Sequence, residues 1–289
     1  MKRNLHLLLI DPQNDFCDVP ADYLMTDPVS RQIVTPALPV AGAHADMLRI
    51  AELIERAGAG LSDISITLDS HHRYDIAHPP FWMDASGKAI APFSVVSARD
   101  VREGRYLPRQ SQSLARTLAY LDSLETNGRY QLMVWPVHCE IGSWGHNVHA
   151  DVRAAYGRWE EAGSSVAMKL IKGSNPWTEH YSAVMAEVPD PQDPATQLNR
   201  SFIDSLAGAD QIYIAGEAGS HCVKATTEHI VEHFDRTQLS KLVLLSDCIS
   251  PVAGFEAQYA SFLHDIQQRG VQIATAADVL PDLVANQAR

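Results

Sequence analysis

The sequence predicts a three-layer α/β/α protein built on a mainly parallel, doubly wound sheet of about six strands. Two observations point there. Short apolar runs of strand length alternate with amphipathic segments of helical spacing, the pattern of a parallel sheet covered on both faces. Several of those runs also end on a residue able to do chemistry, and open parallel sheets place ligands at the carboxyl ends of their strands.

Leu5–Ile10 reads as the first buried strand and runs straight into Asp11. A long irregular stretch, Cys17–Pro39, follows it. Met47, Ile50, Ala51 and Ile54 then recur at helical spacing, and Ile64–Leu68 is the second strand. Asp84–Gln110 is polar and irregular, and loops of that length in compact domains are usually lids or binding loops. A surface insertion without a role carries equal weight. Leu114, Leu118 and Leu121 mark a helix and Gln131–Val134 a short strand, followed by a helix carrying Val148, Val152, Ala155 and Trp159. Val166–Ile171 is a strand leading into Lys172, and Gln211–Ala215 another leading into the turn that reaches Cys222. Val223, Ile230, Val231 and Phe234 share one face of the helix that Cys222 opens. Leu242–Leu245, a helix with Phe255, Tyr259, Phe262 and Ile266, and a last strand Val271–Ala274 complete the pattern. Nothing in the composition separates two domains, so residues 1–289 are expected to form one, with an insertion around 84–130.

The bulk composition narrows the partners. The net charge of -12 argues against nucleic acid, whose phosphates need cations. The chain shows no 18-residue apolar run and no signal-peptide pattern. Its four cysteines, Cys17, Cys139, Cys222 and Cys248, lack close pairing and read as reduced thiols. The expectation is a cytoplasmic enzyme acting on a small molecule, away from membranes.

Cys222 is the nucleophile candidate. It follows the turn Gly216-Glu-Ala-Gly-Ser-His and opens a helix, whose positive end favours a thiolate. Lys172 nearby would add to that effect, and Asp11 could take the thiol proton and return it to a leaving amine. The backbone N–H groups of Ala218 and Cys222 could hold an oxyanion. Taken alone, Cys222 also reads as a small buried hydrophobe. The metal candidate is Asp69-Ser-His71-His72 with His78 and, farther on, His138. Such donors suit Zn2+, Fe2+ or Mn2+. Asp69 and His71 lie two apart on extended backbone and project to one side. The plainer alternative is a solvated turn with His72 and His78 merely exposed; His72 is the expected spare.

These motifs, in this order, resemble the isochorismatase-like cysteine hydrolases, most closely the nicotinamidase (pyrazinamidase) branch. The resemblance rests on Asp11-Pro-Gln-Asn-Asp-Phe16, Asp69-x-His71 with His78, Trp135-Pro-Val-His138-Cys, Lys172-Gly173 with Tyr181-Ser182, and Gly216-x-Ala218-x-x-His-Cys222-Val. It implies the isochorismatase-like fold, an amidase with Asp11, Lys172 and Cys222 as catalytic residues, and an oxyanion hole at Ala218 and Cys222. It also implies a cis peptide at Glu217–Ala218. By the same resemblance Asp69, His71, His78 and His138 would bind one divalent ion, zinc first, with Fe2+ or Mn2+ as alternatives. Phe16, Trp135 and Tyr181 would hold a flat heteroaromatic ring, and a homo-oligomer is implied. Three features depart from the pattern. Gly219 and Ser220 stand where relatives carry Thr and Asp, which is expected to loosen the nucleophile turn. His78 and His138 are 60 positions apart, and the region from Trp144 to Ala162 is long, so a remodelled pocket mouth is expected.

The leading expectation is hydrolysis of nicotinamide to nicotinate and ammonia, or of a close heteroaromatic carboxamide. The first alternative is the same chemistry on a carbamoyl, ureido or maleamate-like amide. Two other classes remain: a hydrolase whose nucleophile is metal-activated water, and a binding protein without turnover.

Overall fold

The computed structural model describes residues 2–163 and 165–287; the other four positions of the expected 1–289 domain lie outside the described residues. Its central sheet has six parallel strands: β1 (Leu5–Ile10), β2 (Asp63–Asp69), β3 (Met168–Lys172), β4 (Gln211–Gly216), β5 (Leu242–Leu245) and β6 (Gln272–Ala274). They lie in the order β6-β5-β4-β1-β2-β3. The chain builds outward from β1 in one direction, then returns to build in the other. That reversal makes a crevice at the carboxyl end of β1, where ligands bind in such sheets.

The apolar runs explain the layers. β1 is buried at every position, as a central parallel strand must be. Leu7 and Leu9 pack on one face with Met47, Ile50 and Ile54 of the helix Ala43–Ala57 and with Val152 and Ala155 of the helix Ala150–Gly163. Leu8 and Ile10 pack on the other face with Ile203, Val223, Ile230 and Phe262. The period of two sorts neighbours on one strand into opposite layers. Among the described residues no helix is long and apolar enough to cross a membrane.

Two expectations are corrected. The strand expected at Gln131–Val134 forms over Leu132–Val134 but stays outside the central sheet, pairing antiparallel with Ser94–Val96. Asp84–Gln110 is not irregular throughout. Trp82–Asp84 pairs with Tyr106–Pro108, and Ser97 caps the short helix Ala98–Arg102 through a reciprocal capping box with Asp100. These pieces close over their own core, in which Phe81, Trp82, Val96, Leu121, Leu124 and Val134 are buried. Strands of three residues are too short to show a period, which hid them from the sequence. The helices Arg200–Ala207 and Ala276–Gln287 also went unmarked.

Gly216 ends β4 with φ at 118°, and a Cβ there would sit 2.0 Å from the Ile10 carbonyl oxygen. Only glycine allows β1 and β4 to approach so closely before the chain turns toward Cys222. Gly216→Ala is expected to cost on the order of 3 kcal/mol, read as a lower urea midpoint. Gly87→Ala, with positive φ but nothing within 4 Å, should cost only about 1 kcal/mol. Equal losses for the two variants would contradict the close approach.

Candidate active site

The ends of β1, β2 and β3 and the turn after β4 bring four functional side chains to one point. Asp11 follows β1 with its backbone in the left-handed region, φ 45°. Asp69 and Lys172 end β2 and β3 and are register partners. Lys172 Nζ lies 2.9 Å from Asp11 Oδ2 and 2.8 Å from Asp69 Oδ1. It also lies 3.6 Å from Cys222 Sγ and donates to the His180 carbonyl at 3.0 Å. The Thr67 hydroxyl donates to Asp11 Oδ1 at 2.5 Å, and Asp11 N–H donates to the same hydroxyl at 3.0 Å. All four charged or nucleophilic groups are buried.

Burial is the largest influence on each of them. It raises the Asp11 carboxyl, and Lys172 only partly opposes this. Burial works against the Lys172 ammonium, but Asp11 and Asp69 outweigh it and hold the charge. Burial likewise works against the Asp69 carboxylate, yet His71 and Lys172 keep it well below the usual range. The Cys222 thiol is pushed well up by burial, with Lys172 opposing and Asp11 reinforcing. Lys172 favours the thiolate, as the sequence suggested, but desolvation of the anion is the larger effect.

Cys222 opens the helix Cys222–His233, and the Glu217–Ala218 peptide before it is cis. The backbone N–H groups of Ala218 and Cys222 belong to this turn. The expected loosening at Gly219 and Ser220 is not found. A Cβ on Gly219 would come within 2.7 Å of the Tyr259 ring and 2.8 Å of an Ile249 methyl, so those side chains fill the space. Gly219 N–H donates to the Ser250 carbonyl at 2.8 Å, and Val252 N–H donates to the Ser220 hydroxyl at 3.1 Å.

Three imidazoles converge beside this network. Ligand atoms of His71, His78 and His138 all lie within 4.8 Å of one another, and all three residues are buried. Asp69 Oδ2 completes the set at 3.1 Å from His71 Nε2 and 3.2 Å from His138 Nε2. Each ring turns its Nδ1 to an oxygen: His71 to Asp75 at 3.1 Å, His78 to the His72 carbonyl at 3.1 Å, His138 to the Pro136 carbonyl at 2.9 Å. With protons on those Nδ1 atoms, Nε2 of His71 and of His138 face Asp69 Oδ2 and Nε2 of His78 faces His138 Nδ1 at 3.2 Å, so a cation would take the place of these contacts. The donor set fits a divalent metal. His72 is exposed and enters only through its carbonyl.

Phe16, Trp135 and Tyr181 line a cavity of about 20 Å3 together with Asp69, His138, Ala218 and Cys222. Trp135 Nε1 donates to the Tyr181 hydroxyl at 3.1 Å, and the Phe16 ring lies 5.5 Å from that of His138. So small a space admits a ring only when side chains at its mouth swing aside. A cavity of about 790 Å3 lies beside Lys2, Leu61 and Trp159 near the amino end of β2, and no Cys or His lines it among the described residues.

Several contributors escaped the sequence reading. Asp75 fixes the His71 tautomer. Gln13 grips Asp69 from both sides, accepting its N–H and donating to its carbonyl, each at 2.8 Å. Asp15 accepts from Cys139 N–H at 2.7 Å beside His138. Glu179 lines the cavity with one buried oxygen lacking a partner, and burial raises its carboxyl. Gln13 and Asp15 lie inside the quoted opening motif, which was the available signal; Asp75 and Glu179 depend on tertiary contact. Phe93, on the 84–110 segment, stands edge-on to Trp135 with centroids 6.0 Å apart.

The strand order and the position of the site define the class of architecture, a doubly wound parallel sheet with its candidate site at the switch point beside β1. Neither a family model nor a curated protein matches the chain, but solved structures do. The nicotinamidase/pyrazinamidase of Acinetobacter baumannii is 20% identical over 96% of this chain and 98% of its own, with a TM-score of 0.61. Yeast nicotinamidase bound to the inhibitor nicotinaldehyde is 18% identical over 94% and 99%, with a TM-score of 0.62. Pyrazinamidase of Pyrococcus horikoshii in complex with zinc is 18% identical over 94% and 99%, with a TM-score of 0.51. The chain has the nicotinamidase fold.

Two measurements check this geometry. Cys222 is the only one of the four thiols with measurable exposure, 6% against 0% for Cys17, Cys139 and Cys248. Iodoacetamide should modify Cys222 first in the folded protein, read by peptide mass mapping; comparable labelling of Cys17 would contradict it. Phe93 is 56% exposed and holds a φ of 65°. Phe93→Ala should lose the ring contact and keep the strain, whereas Phe93→Gly relieves the strain. The Gly variant should therefore be the more stable by about 1 kcal/mol, and a reversed order would place no strain there.

Proposed function

We propose that this chain is a metal-dependent cysteine amidohydrolase that converts nicotinamide, or a closely related heteroaromatic carboxamide, to the acid and ammonia. The observation that carries the reading is the shared wall. The Asp11–Lys172–Cys222 network and the His71–His78–His138 cluster meet through the two oxygens of Asp69, beside one cavity lined by aromatic rings. The nicotinamidase fold supports it.

Asp11, raised by burial, takes the proton from Cys222 as the sulfur attacks the amide carbon. The N–H groups of Ala218 and Cys222 hold the oxyanion, and Lys172 keeps the displaced charge balanced. Asp11 then passes the proton to the departing nitrogen, releasing ammonia and leaving a thioester on Cys222. Asp11 next draws a proton from water, whose oxygen attacks the thioester carbon; as the C–S bond breaks, Asp11 returns that proton to the sulfur, freeing the acid and the thiol. Phe16 and Trp135 hold the ring flat, with Tyr181 anchoring Trp135. Asp69, His71, His78 and His138 would hold a divalent ion, zinc foremost and Fe2+ or Mn2+ next. Such an ion supplies Lewis-acid affinity for a ring nitrogen. The same chemistry on a carbamoyl, ureido or maleamate-like amide is the second reading, favoured by the extra wall that segment 84–110 adds at the pocket mouth.

Nicotinamide should release ammonia and nicotinate in equal amounts. Cys222→Ala should lower kcat by about a thousandfold or more. Retention of activity within about tenfold would transfer the nucleophile's role to water. Asp75→Ala should weaken zinc binding roughly 10–100-fold in a chelator competition, without loss of the fold. Unchanged zinc affinity in that variant would remove the proposed ligand set.

A further inference from the structure

The turn that carries Ala218 is held from outside by one residue. Ser250 N–H donates to Glu217 Oε2 at 3.2 Å, and the Ser250 carbonyl accepts Gly219 N–H at 2.8 Å. Ser250 therefore grips the residue on each side of Ala218. Its hydroxyl reaches the other way and donates to Asp46 Oδ2, on the helix Ala43–Ala57, at 2.6 Å. Glu217 N–H donates to the Ile10 carbonyl at 2.7 Å, which ties the same turn to β1.

The two carboxyls that Ser250 joins are both buried, and they hydrogen-bond each other. Glu217 Oε1 has no other partner. Carboxylates offer only acceptors, so a hydrogen bond between two of them needs a proton on one. The surroundings favour keeping that proton. Arg49, on the Asp46 helix, stands 3.5 Å from Asp46 Oδ1 and balances one negative charge. Asp18 faces Glu217 and Asp247 faces Asp46, so the remaining charges nearby are negative. Cys17, Cys248 and Tyr259 complete the wall, and burial pushes all three up, which keeps them neutral. Burial likewise raises the Glu217 and Asp46 carboxyls. One cation for two buried carboxyls favours a pair that carries a single charge.

We propose that Glu217 is a positioning residue for the oxyanion hole: the proton it shares with Asp46 keeps the clasp at Ser250 closed and so aims the Ala218 N–H. The proposal rests on the amidase reading above and adds a residue to its machinery. Glu217 does not line the ring-sized cavity. Its influence falls on the transition state, where the oxyanion develops, and so on kcat more than on KM.

Glu217→Ala should lower kcat for nicotinamide roughly 10–100-fold with little change in KM. Glu217→Gln, whose amide can donate to Asp46, should restore most of that loss. Wild-type kcat in the Ala variant, or a Gln variant no better than Ala, overturns the positioning role. If Glu217→Ala does not fold, Asp46→Ala strips Glu217 of its partner from outside the turn, and Asp46→Asn is its rescue; the same outcomes decide. The shared proton has a separate readout. The unfolded chain loses it above the ordinary carboxyl range, about pH 4, while the folded pair keeps it. Its stabilisation is thus complete at low pH and is lost as pH rises toward the raised folded value. Over that window, from about pH 5 upward, the wild-type unfolding constant should grow about tenfold per pH unit relative to Glu217→Gln, read from urea midpoints. Parallel pH dependences overturn the shared proton. If no amide is hydrolysed, the amidase reading fails and hydrogen exchange over residues 216–222 tests the clasp. Faster exchange in the Ala variant, restored in the Gln variant, supports it; equal exchange in all three proteins overturns it.

Discussion

Lys172 has no route to water, and the rest of the site is arranged around that constraint. Its side chain is 1% exposed. A buried ammonium is tolerable only when paired and hydrogen-bonded, and removing one partner of such a pair costs about 3–5 kcal/mol. The partners come from different strands. Asp69 is its register neighbour across β2 and β3, and Asp11 closes β1 alongside. The sheet register and the ion pairs therefore enforce each other. A slip by one residue would turn these side chains to the opposite face and strand the charge. Asp69 extends the arrangement, with one oxygen on Lys172 and the other on His71 and His138. One carboxylate joins the Asp11–Lys172–Cys222 network to the histidine cluster.

The two carboxylates flanking Lys172 differ in a way that assigns their work. Burial acts on both. Asp69 also faces His71 and is held as a fixed anion, while Asp11 has fewer compensating partners and is raised. When environments push two carboxyls apart, the raised one carries protons and the lowered one holds charge. The upward push of burial on the Cys222 thiol fits the same division. In the proposed reaction its activation would be a short proton transfer to Asp11 inside a closed network, so that no free thiolate need persist in a desolvated pocket. Lys172 keeps its charge throughout, so the network can shift a proton without changing its net charge.

The parts of this protein that the sequence revealed are those with a local signature. β1, β4 and β5 are continuous apolar runs because both their faces are buried, and Asp11, Lys172 and Cys222 stood out because they directly follow strands. What stayed hidden depends on partners distant in sequence. The Gly219 turn is tight because Tyr259 and Ile249 fill it, and a turn motif cannot show what packs against it. Leu132–Val134 reads as a strand, but its choice of Ser94–Val96 over the central sheet is a tertiary decision. Asp75 carries no motif, and its meaning comes only from the Nδ1 of His71.

The pairing of Ser94–Val96 with Leu132–Val134 has a consequence for how substrate preference is set. Leu132–Val134 leads directly into Trp135 and His138, so the segment that remodels the pocket mouth is hydrogen-bonded to the strand delivering an aromatic wall and a metal-ligand candidate. Phe93 stands edge-on to Trp135, and Val95, two residues on, lines a cavity of about 220 Å3 beside Tyr181 and His221. Asp11, Lys172 and Cys222 lie on other elements, held by the sheet. Changes in segment 84–110 can therefore reshape what enters without touching the groups that would break the bond. The small core under Trp82 and Leu121 gives that segment enough rigidity to act as a wall. A structureless loop of the same length would pay ordering entropy at each binding event, and the reciprocal cap between Ser97 and Asp100 shows a segment ordered beforehand.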